Sequence, residues 1–305
     1  MRWVVGTHDG LVGSEGEAWL LGREVSALAP DADGWWALAD GRDVVRLGGG
    51  AVETVASIEE EVGRCLLPVV DGVLVGTANA RLTLTRDGSA EMSTSFDEAT
   101  GREGWYTPWG GPPDTRSLSA GPDGALFANV HVGGILRAED PDGTWQPTID
   151  IDADVHQVLA DPGRADHVVA ATSLGLAESL DAGATWRFIT DGLHAAYARA
   201  VALDGEDLFM SASTGPRGGR AAVYRRAAGE EGFAKCTGGL PEWFAQNIDS
   251  HHLAASDGLV VFGAEDRLFA SDDGGRSWSD TGTPYPEITC VAIRDGRPVM
   301  DLRAP

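Results

Sequence analysis

Residues 179–186 read Ser-Leu-Asp-Ala-Gly-Ala-Thr-Trp, and residues 271–278 read Ser-Asp-Asp-Gly-Gly-Arg-Ser-Trp. Both segments fit the pattern S-x-D-x-G-x-T/S-W. A weaker copy, AEDPDGTW, stands at residues 138–145, and TRDGSAE at residues 85–91 is a degenerate fourth candidate. In this pattern the Asp carboxylate can accept backbone N–H bonds across a tight turn, the Gly permits a positive φ, and the Trp can pack into adjoining sheets. The segments therefore predict a repeated structural turn.

The motif belongs to a larger repeat, in which two short apolar strands joined by a tight turn are followed by two further strands. Asp-Gly suits such turns because both residues tolerate positive φ. Six of the turns contain it, namely Asp33-Gly34, Asp71-Gly72, Asp123-Gly124, Asp204-Gly205, Asp257-Gly258 and Asp295-Gly296. One repeat uses ADPGRADH at residues 160–167 instead. The hairpins begin about 40 to 50 residues apart, which is the length of one propeller blade.

Seven such hairpins predict an all-β chain that folds as a seven-bladed β-propeller of four-stranded antiparallel blades. The last hairpin begins near Ile288, which leaves too few residues for a complete blade. The N-terminal segment RWVVGTHDGLVGSEGEAWLLG supplies the missing strands, so the seventh blade is expected to combine residues of about 1–23 with residues of about 286–305. Residues 1–305 are thus expected to form one propeller domain, closed by pairing its two ends.

The two full motifs resemble the Asp-box, or BNR, repeats of sialidases, sortilin-type receptors and photosystem II assembly factors. The resemblance implies that the boxes are structural and lie between the third and fourth strands of a blade, on the face opposite the binding site. Asp181, Trp186, Asp273 and Trp278 are therefore assigned to folding rather than to chemistry.

The composition excludes several classes of partner. The formal net charge is −24, and Lys235 is the only lysine, so nucleic acids and anionic membranes are disfavoured as partners. No signal peptide or membrane-length apolar run is evident, which predicts a cytoplasmic protein. The three cysteines, Cys65, Cys236 and Cys290, are odd in number and lack CxxC spacing, so neither a disulfide framework nor a zinc knuckle is expected.

The predicted strand order sorts the histidines between the two faces of the ring. Loops between the second and third strands share one face, here called the top, with the connections between blades. Five histidines from different blades map to this face and form the candidate metal site: His8, His131, His156, His194 and His251. Nearby acidic residues are Asp9, Asp152, Asp154, Asp191 and Asp249. Such a set could hold a divalent Zn, Mn or Fe ion, and the alternative is a polar channel mouth with hydrogen-bonded histidines.

Arginine and aromatic residues complete the candidate site. The candidate ligand-binding residues are Arg64, Arg116, Arg199, Arg217, Trp105 and Trp109. An arginine near the axis could clamp a carboxylate through two hydrogen bonds, and an aromatic side chain on a top loop suits a sugar or another ring. The alternatives are arginines that balance acidic neighbours and an aromatic loop that packs over its own blade. The candidate catalytic residues are His156, His194 and Tyr197.

These patterns predict a cytoplasmic propeller that binds a small or glycan-like ligand on its top face, through a divalent metal. One version is a metal-dependent hydrolase or lyase. The alternative is a non-catalytic scaffold that binds or assembles a protein partner. A third reading is a sialidase-like glycosidase. It would need a Tyr nucleophile with a Glu base, yet neither Glu242 nor Glu287 is clearly placed beside Tyr197, and no Arg-Ile-Pro segment stands near the N-terminus.

Overall fold

Short apolar runs separated by Gly-rich turns form strands throughout the chain, because apolar, β-branched and aromatic residues suit a pleated and partly buried backbone. The computed structural model describes residues 2–31, 33–282 and 284–294. Within these residues, seven four-stranded antiparallel sheets form the blades of a propeller, which confirms the predicted fold class. The strands of each blade are named A to D from the axis outward.

The strands are numbered in chain order. The chain begins with β1 (Trp3–Thr7), β2 (Gly10–Gly13) and β3 (Ala18–Trp19). Blades I and II contain β4 (Val25–Pro30), β5 (Gly34–Ala39), β6 (Asp43–Gly48), β7 (Ala51–Ser57), β8 (Gly63–Val69), β9 (Gly72–Thr77), β10 (Arg81–Arg86) and β11 (Ser89–Met92). Blades III and IV contain β12 (Thr115–Ala120), β13 (Leu126–Val130), β14 (Gly134–Ala138), β15 (Gln146–Pro147), β16 (Val155–Ala160), β17 (Val168–Thr172), β18 (Gly175–Ser179) and β19 (Arg187–Ile189).

Blades V and VI contain β20 (Tyr197–Asp204), β21 (Asp207–Ser213), β22 (Ala222–Arg226), β23 (Ala234–Lys235), β24 (Leu253–Ser256), β25 (Leu259–Ala264), β26 (Arg267–Ser271) and β27 (Ser279–Asp280), and the last described strand is β28 (Ile288–Ile293). Helical structure is limited in these residues to α1 (Thr94–Asp97) and to 3-10 turns at Ala78–Ala80, Arg102–Gly104 and Ile151–Ala153. No helix in the described part of the chain is long and apolar enough to cross a membrane.

Blade VII is built from both ends of the chain, as predicted. Strand β28 is its A strand and pairs antiparallel with β1, with Trp3 opposite Ile293 and Gly6 opposite Cys290. Strands β2 and β3 complete the sheet. The predicted turn at Asp295-Gly296 lies outside the described residues. The pairing leaves no open seam between the first blade and the last, because the sheet that closes the ring is continuous.

Most blades carry one extra residue near the start of the A strand, on the top face. In blade III, Thr115 pairs with Val130 and Ser117 pairs with Asn129, so Arg116 has no partner across the ladder. Such bulges occur in six of the seven blades as described, and the residues inside them are Ser26, Arg64, Arg116, His156, Arg199 with Ala200, and Thr289. A bulge re-aims its side chain, so the fold places these residues at equivalent positions on the rims of neighbouring blades.

The two full Asp boxes lie between C and D strands and have the same hydrogen bonds. Asp273 accepts the backbone N–H of Ser277 at 2.8 Å and its hydroxyl at 2.6 Å. The Trp278 indole N–H donates to the Gly275 carbonyl at 3.1 Å, and its ring is buried in the core. The box at residues 179–186 repeats these bonds. The boxes therefore close turns on the bottom face, the role predicted for them.

The weaker copies differ in structure from the full boxes. In the copy at residues 138–145, Asp140 accepts the N–H of Asp142 at 3.0 Å and the Trp145 ring is fully buried, but Ala138 replaces the first serine and removes its hydroxyl. The segment at residues 85–91 is a tight hairpin between β10 and β11 and makes no box. Its turn residues both have positive φ, which a two-residue hairpin requires.

Two of the predicted Asp-Gly turns need glycine for a different reason from the expected one. Gly34 and Gly72 do not have positive φ and lie at the start of B strands. A Cβ atom at Gly34 would lie 1.7 Å from the Leu47 carbonyl oxygen, and one at Gly72 would lie 1.9 Å from that of Thr85. Close approach of the C strand therefore excludes any side chain at these positions.

A buried charged cluster joins blades IV and V on the bottom face. His167 contacts Asp161 through Nδ1 at 2.8 Å and Glu178 through Nε2 at 3.1 Å. Glu178 also accepts hydrogen bonds from Arg187 in its own blade and from Arg226 in blade V. Because Glu178 is only 4% exposed, its charge depends on these partners rather than on water. His167 thus has a structural role on the bottom face.

Replacing Asp273 with alanine should lower the thermal unfolding midpoint, because the Ser277 N–H and hydroxyl lose their acceptor. Asp272→Ala is the matched control, since the Asp272 side chain is 84% exposed and its nearest cation is 3.9 Å away. Differential scanning calorimetry of the two variants measures the effect. Equal midpoints for Asp273→Ala and wild type would remove the structural role assigned to the box.

Replacing Glu178 with glutamine should cost about 3 kcal/mol of unfolding free energy, because His167 and Arg226, both largely buried, and the exposed Arg187 lose their shared carboxylate. Glu139→Gln is a suitable control, because Glu139 pairs with Arg137 at an exposed position. Urea denaturation provides the measurement. A loss no greater than that of the control would show that the cluster does not hold blades IV and V together.

The same cluster should make stability depend on pH. Burial lowers the pKa of His167. The neighbouring Glu178 and Asp161 raise it by more than burial lowers it, so the pKa lies above its ordinary value of 6.5. Burial raises the pKa of Glu178. Its hydrogen bonds to His167 and Arg226 lower it by more than burial raises it, so the pKa lies below its ordinary value of 4.5. The contribution of His167 to the free energy of unfolding is fully present below pH 6.5, and it is lost as the pH rises through the pKa of His167 in the folded state. The glutamate contribution is complete above pH 4.5 and is lost on acidification.

We therefore expect the difference in unfolding free energy between wild type and His167→Gln to be greatest between about pH 4.5 and 6.5. It should shrink at higher pH, as the wild-type imidazole loses its proton. Urea denaturation across a pH series gives the difference directly. A difference that stays constant or grows above pH 6.5 would contradict a charged His167.

Candidate functional site

The candidate site lies on the top face, where blades III and IV meet. His131 follows strand β13 in the B–C loop of blade III. Asp154 ends the connection from blade III to blade IV, and His156 is the bulged second residue of β16. Asp154 has φ +47° and ψ +68°, a left-handed conformation that is unfavourable for a residue with a Cβ. This conformation brings its carboxylate between the two imidazoles.

The three side chains form a compact cluster. His131 Nε2 lies 3.3 Å from Asp154 Oδ1, and His156 Nε2 lies 3.7 Å from Asp154 Oδ2. One nitrogen of each imidazole and one carboxylate oxygen all lie within 4.8 Å of one another. His131 is 4% exposed and His156 is 1% exposed, whereas the Asp154 side chain is half-buried. Two nitrogens and one oxygen at this spacing can converge on one cation.

The tautomer of His156 is determined by blade V. His156 Nδ1 lies 2.6 Å from the Ala198 carbonyl oxygen. Because a carbonyl can only accept, Nδ1 carries the proton and Nε2 carries the lone pair. His156 Nε2 is buried and has no hydrogen-bond partner among the described residues, whereas Asp154 Oδ1 is buried with His131 Nε2 3.3 Å away. A lone pair thus faces a carboxylate, an arrangement that repels unless a cation or a proton donor lies between them.

Burial and neighbouring charges keep this cluster ready to bind a cation. Burial lowers the pKa of His156 to about 4, although Asp154 opposes the shift. Burial raises the pKa of Asp154, but the contact with His131 and the charge of Arg116 outweigh it, so the pKa lies below its ordinary value. At neutral pH the cluster therefore offers a neutral His156 imidazole and an ionised Asp154, the protonation states of metal ligands.

Several other predicted residues surround the cluster. The Trp109 ring is 70% exposed and lies over His131, with ring centroids 5.0 Å apart. The Tyr197 ring lies 4.8 Å from that of His156. Arg199 donates to the Tyr197 hydroxyl at 3.3 Å and forms an ion pair with Asp249. The wall beside the two histidines is therefore aromatic and cationic.

The other three candidate histidines lie elsewhere on the top face. His8 lies 3.5 Å from both Glu24 and Glu287. The His194 Nδ1 atom contacts the Tyr224 hydroxyl at 2.6 Å, and His251 Nε2 donates to the Arg116 carbonyl at 2.9 Å. The expected convergence of five histidines is thus corrected to two, His131 and His156. A seven-bladed ring distributes equivalent loops around its rim, so a shared face does not bring their side chains to one point.

Of the remaining candidates, Arg64 pairs with Asp114 at 3.2 Å, and Arg217 is exposed in its loop. Trp105 packs against Phe96, with ring centroids 5.8 Å apart. Trp105 therefore covers its own blade, which is the alternative considered for the aromatic loop.

Glu242 and Glu287 do not approach Tyr197. The Glu242 carbonyl accepts from Lys235, and Glu287 lies beside His8. The carboxylate that contacts Arg199 next to Tyr197 belongs to Asp249. The pairing of a tyrosine with a glutamate base, which a sialidase-like mechanism would need, is therefore not formed by these residues.

Two polar residues beside the cluster were not singled out from the sequence. Asn129, two residues before His131, is fully buried, and neither its amide nitrogen nor its amide oxygen has a partner among the described residues. Gln157 follows His156 and exchanges hydrogen bonds with the backbone of Val201 in blade V. Asn129 interrupts the apolar strand sequence ALFANV, which is the one signal that could have identified it.

Two clefts lie away from the cluster, at the bottom face. One, of about 630 Å³, lies between blades II and III and is lined by residues that include Val69, Arg86 and Asp142. The other, of about 620 Å³, lies beside the Asp box at residues 179–186. The first cleft is lined by A–B turns and a C–D turn, and the second by C–D turns and outer strands. Neither cleft brings together an imidazole and a carboxylate.

Solved structures share the architecture at low sequence identity. A 6-phosphogluconolactonase-like protein from Bacteroides uniformis has 15% identity and a TM-score of 0.64 over 96% of this chain and 99% of its own. The GH74 xyloglucanase from Xanthomonas campestris has 13% identity and a TM-score of 0.62 over 92% of this chain and 46% of its own. The computationally designed Ika8 protein has 12% identity and a TM-score of 0.60 over 88% of this chain and 79% of its own. Such identities establish a shared fold alone.

No protein-family model matches the chain, and no match was found among curated proteins.

Proposed function

We propose that His131, Asp154 and His156 bind a divalent metal ion, and that the protein uses it to bind and transform a small molecule on the top face. The observation that carries this proposal is the buried His156 Nε2 atom, which has no hydrogen-bond partner among the described residues and lies 3.7 Å from Asp154 Oδ2. The Ala198 carbonyl orients the imidazole for such a role, as outer hydrogen bonds do for metal-bound histidines. A cation between these atoms would turn their repulsion into binding energy.

The donor set favours a particular class of ion and reaction. Two imidazole nitrogens and one carboxylate suit Zn, Mn or Fe and leave coordination positions for water and substrate. A metal bound there would act as a Lewis acid or activate water, which are the contributions expected in a hydrolase or lyase. Tyr197 stands beside His156, where its hydroxyl could exchange a proton with a bound molecule.

Two further features bear on the family and the cellular compartment that we propose for the chain. The hydrogen bonding of the two full boxes supports placing the chain in the Asp-box family. The three described cysteines are free and buried, which supports a reducing compartment such as the cytoplasm.

Metal binding can be measured directly on the purified protein. After dialysis against EDTA, titration calorimetry with Zn²⁺ and with Mn²⁺ should give one site per chain. His156→Ala and Asp154→Asn should each weaken binding by about 100-fold or more, because a ligand or its charge is lost. His8→Ala, which removes a half-exposed histidine outside the cluster, should leave the affinity unchanged. Circular dichroism should confirm that each variant is folded.

Elemental analysis of protein purified without a metal-affinity tag should identify which ion it retains. A saturating metal should also raise thermal stability in the wild type, and not in Asp154→Asn, because only the folded site binds it. The proposal fails if neither ion binds to folded wild type. It also fails if Asp154→Asn and His156→Ala bind metal as well as His8→Ala does. The protein-binding scaffold would then be the better description of the propeller.

A further inference from the structure

Arg116 is an arginine beside the candidate metal site whose guanidinium forms no ion pair with the described residues. It occupies the bulge at the top of β12, one blade before His156. Its side chain is half-buried, yet it makes no hydrogen bond, ion pair or aromatic contact with the described residues. Its backbone is held firmly, since the Arg116 carbonyl accepts the Nε2–H of His251 from blade VI. The structure thus fixes the position of a guanidinium without giving it a direct partner among the described residues.

The equivalent arginines in the neighbouring blades differ from Arg116. Arg64 in blade II pairs with Asp114 at 3.2 Å, and Arg199 in blade V pairs with Asp249. All three occupy the same bulge position, so the difference does not come from the backbone. Arg116 alone among them keeps its donors free.

The electrostatic surroundings show the cost of leaving Arg116 unpaired. Burial lowers the pKa of Arg116, and the nearby charge of Arg199 lowers it further. Asp114 and Asp154 oppose the shift but do not cancel it. An isolated cation in a partly desolvated rim is stabilised when an anion binds it. A divalent metal at Asp154 would add more positive charge to the same rim and strengthen that preference.

We propose that the small molecule bound at this site carries a carboxylate, and that Arg116 holds it while the metal cluster binds a neighbouring oxygen of the same molecule. The second half of this inference rests on the metal site proposed above. A guanidinium presents two parallel N–H donors that match a planar carboxylate. The Tyr197 hydroxyl accepts from Arg199, so its own proton is free to be donated to the same anion.

The acidic net charge of the chain favours a monoanion over a phosphate dianion. Asp249 neutralises Arg199, whereas the guanidinium of Arg116 forms no ion pair with the described residues and can pair with an incoming anion. A dianion would add more negative charge than a carboxylate to a chain whose formal net charge is already −24. The exposed Trp109 ring over His131 offers an apolar surface to the remainder of the molecule. A hydroxy acid with an apolar or ring-bearing side chain fits these features.

The test compares carboxylic acids with their uncharged amides. Glycolate and mandelate, each against its amide, are titrated into Mn²⁺-loaded protein while ligand proton line broadening is recorded. Inorganic phosphate is tested by competition. We expect each acid to bind about tenfold or more tightly than its amide, since hydrogen bonds between charged groups are worth more than neutral ones. In Arg116→Gln that preference should disappear, while the affinity for Mn²⁺ changes little.

Arg164→Gln is the matched control, because it removes the same charge from an exposed position on the bottom face. Saturation-transfer measurements on metal-free protein separate the two proposals. A preference for acid over amide that depends on Arg116 but needs no metal would support the carboxylate site even if metal binding fails. The carboxylate proposal is overturned if acid and amide bind alike, if Arg116→Gln keeps the preference, or if phosphate displaces mandelate and binds more tightly. Each of these results would leave metal binding by His131, Asp154 and His156 standing.

Discussion

Each inner strand packs against the inner strand of the next blade, so no blade can shift without moving both of its neighbours. The pairing of β28 with β1 makes this series of contacts circular. Without it, blades VI and I would present unpaired surfaces at a seam, and the inner strands would lose a fixed distance from the axis. Features at the top of one inner strand therefore acquire a defined position relative to those of the next, although they are far apart in sequence.

The bulges in the A strands place polar side chains along the top rim of this rigid ring. A regular A strand would direct its second residue by simple alternation, but the extra residue interrupts the A–B ladder and re-aims one side chain. In blades III, IV and V the residues so placed are Arg116, His156 and Arg199, which makes them neighbours around the rim. Blade V also supplies the Ala198 carbonyl, in the same irregular segment, that fixes the tautomer of His156. The site thus depends on contacts between blades rather than on any one loop.

Periodic features of the sequence were sufficient to predict the fold, because each blade repeats the same strands and turns. The truncated last repeat also indicated that the N-terminal strands complete the seventh blade. The face of each histidine also followed from strand order. The expected convergence of the histidines did not follow from strand order. The position of a side chain around the rim depends on the angle between blades, which no local sequence pattern encodes. His8 and His194 share a face with His156 but meet Glu24 and Tyr224 instead. The left-handed conformation of Asp154 likewise has no signal in its sequence neighbourhood.

Local charge decides what an unpartnered imidazole nitrogen can do. His194 Nε2 is buried without a partner, as His156 Nε2 is. The charges that act on His194 are those of Arg220 and Lys235, which repel a cation, whereas His156 faces Asp154.

The same reasoning explains why arginines must stand beside the acidic cluster. A chain with a net charge of −24 attracts divalent cations but repels carboxylates over its whole surface. An anionic molecule can reach a metal at Asp154 only if the local field is reversed. The guanidinium of Arg116 and a bound divalent ion would together provide that reversal, so the two proposed binding events should reinforce each other.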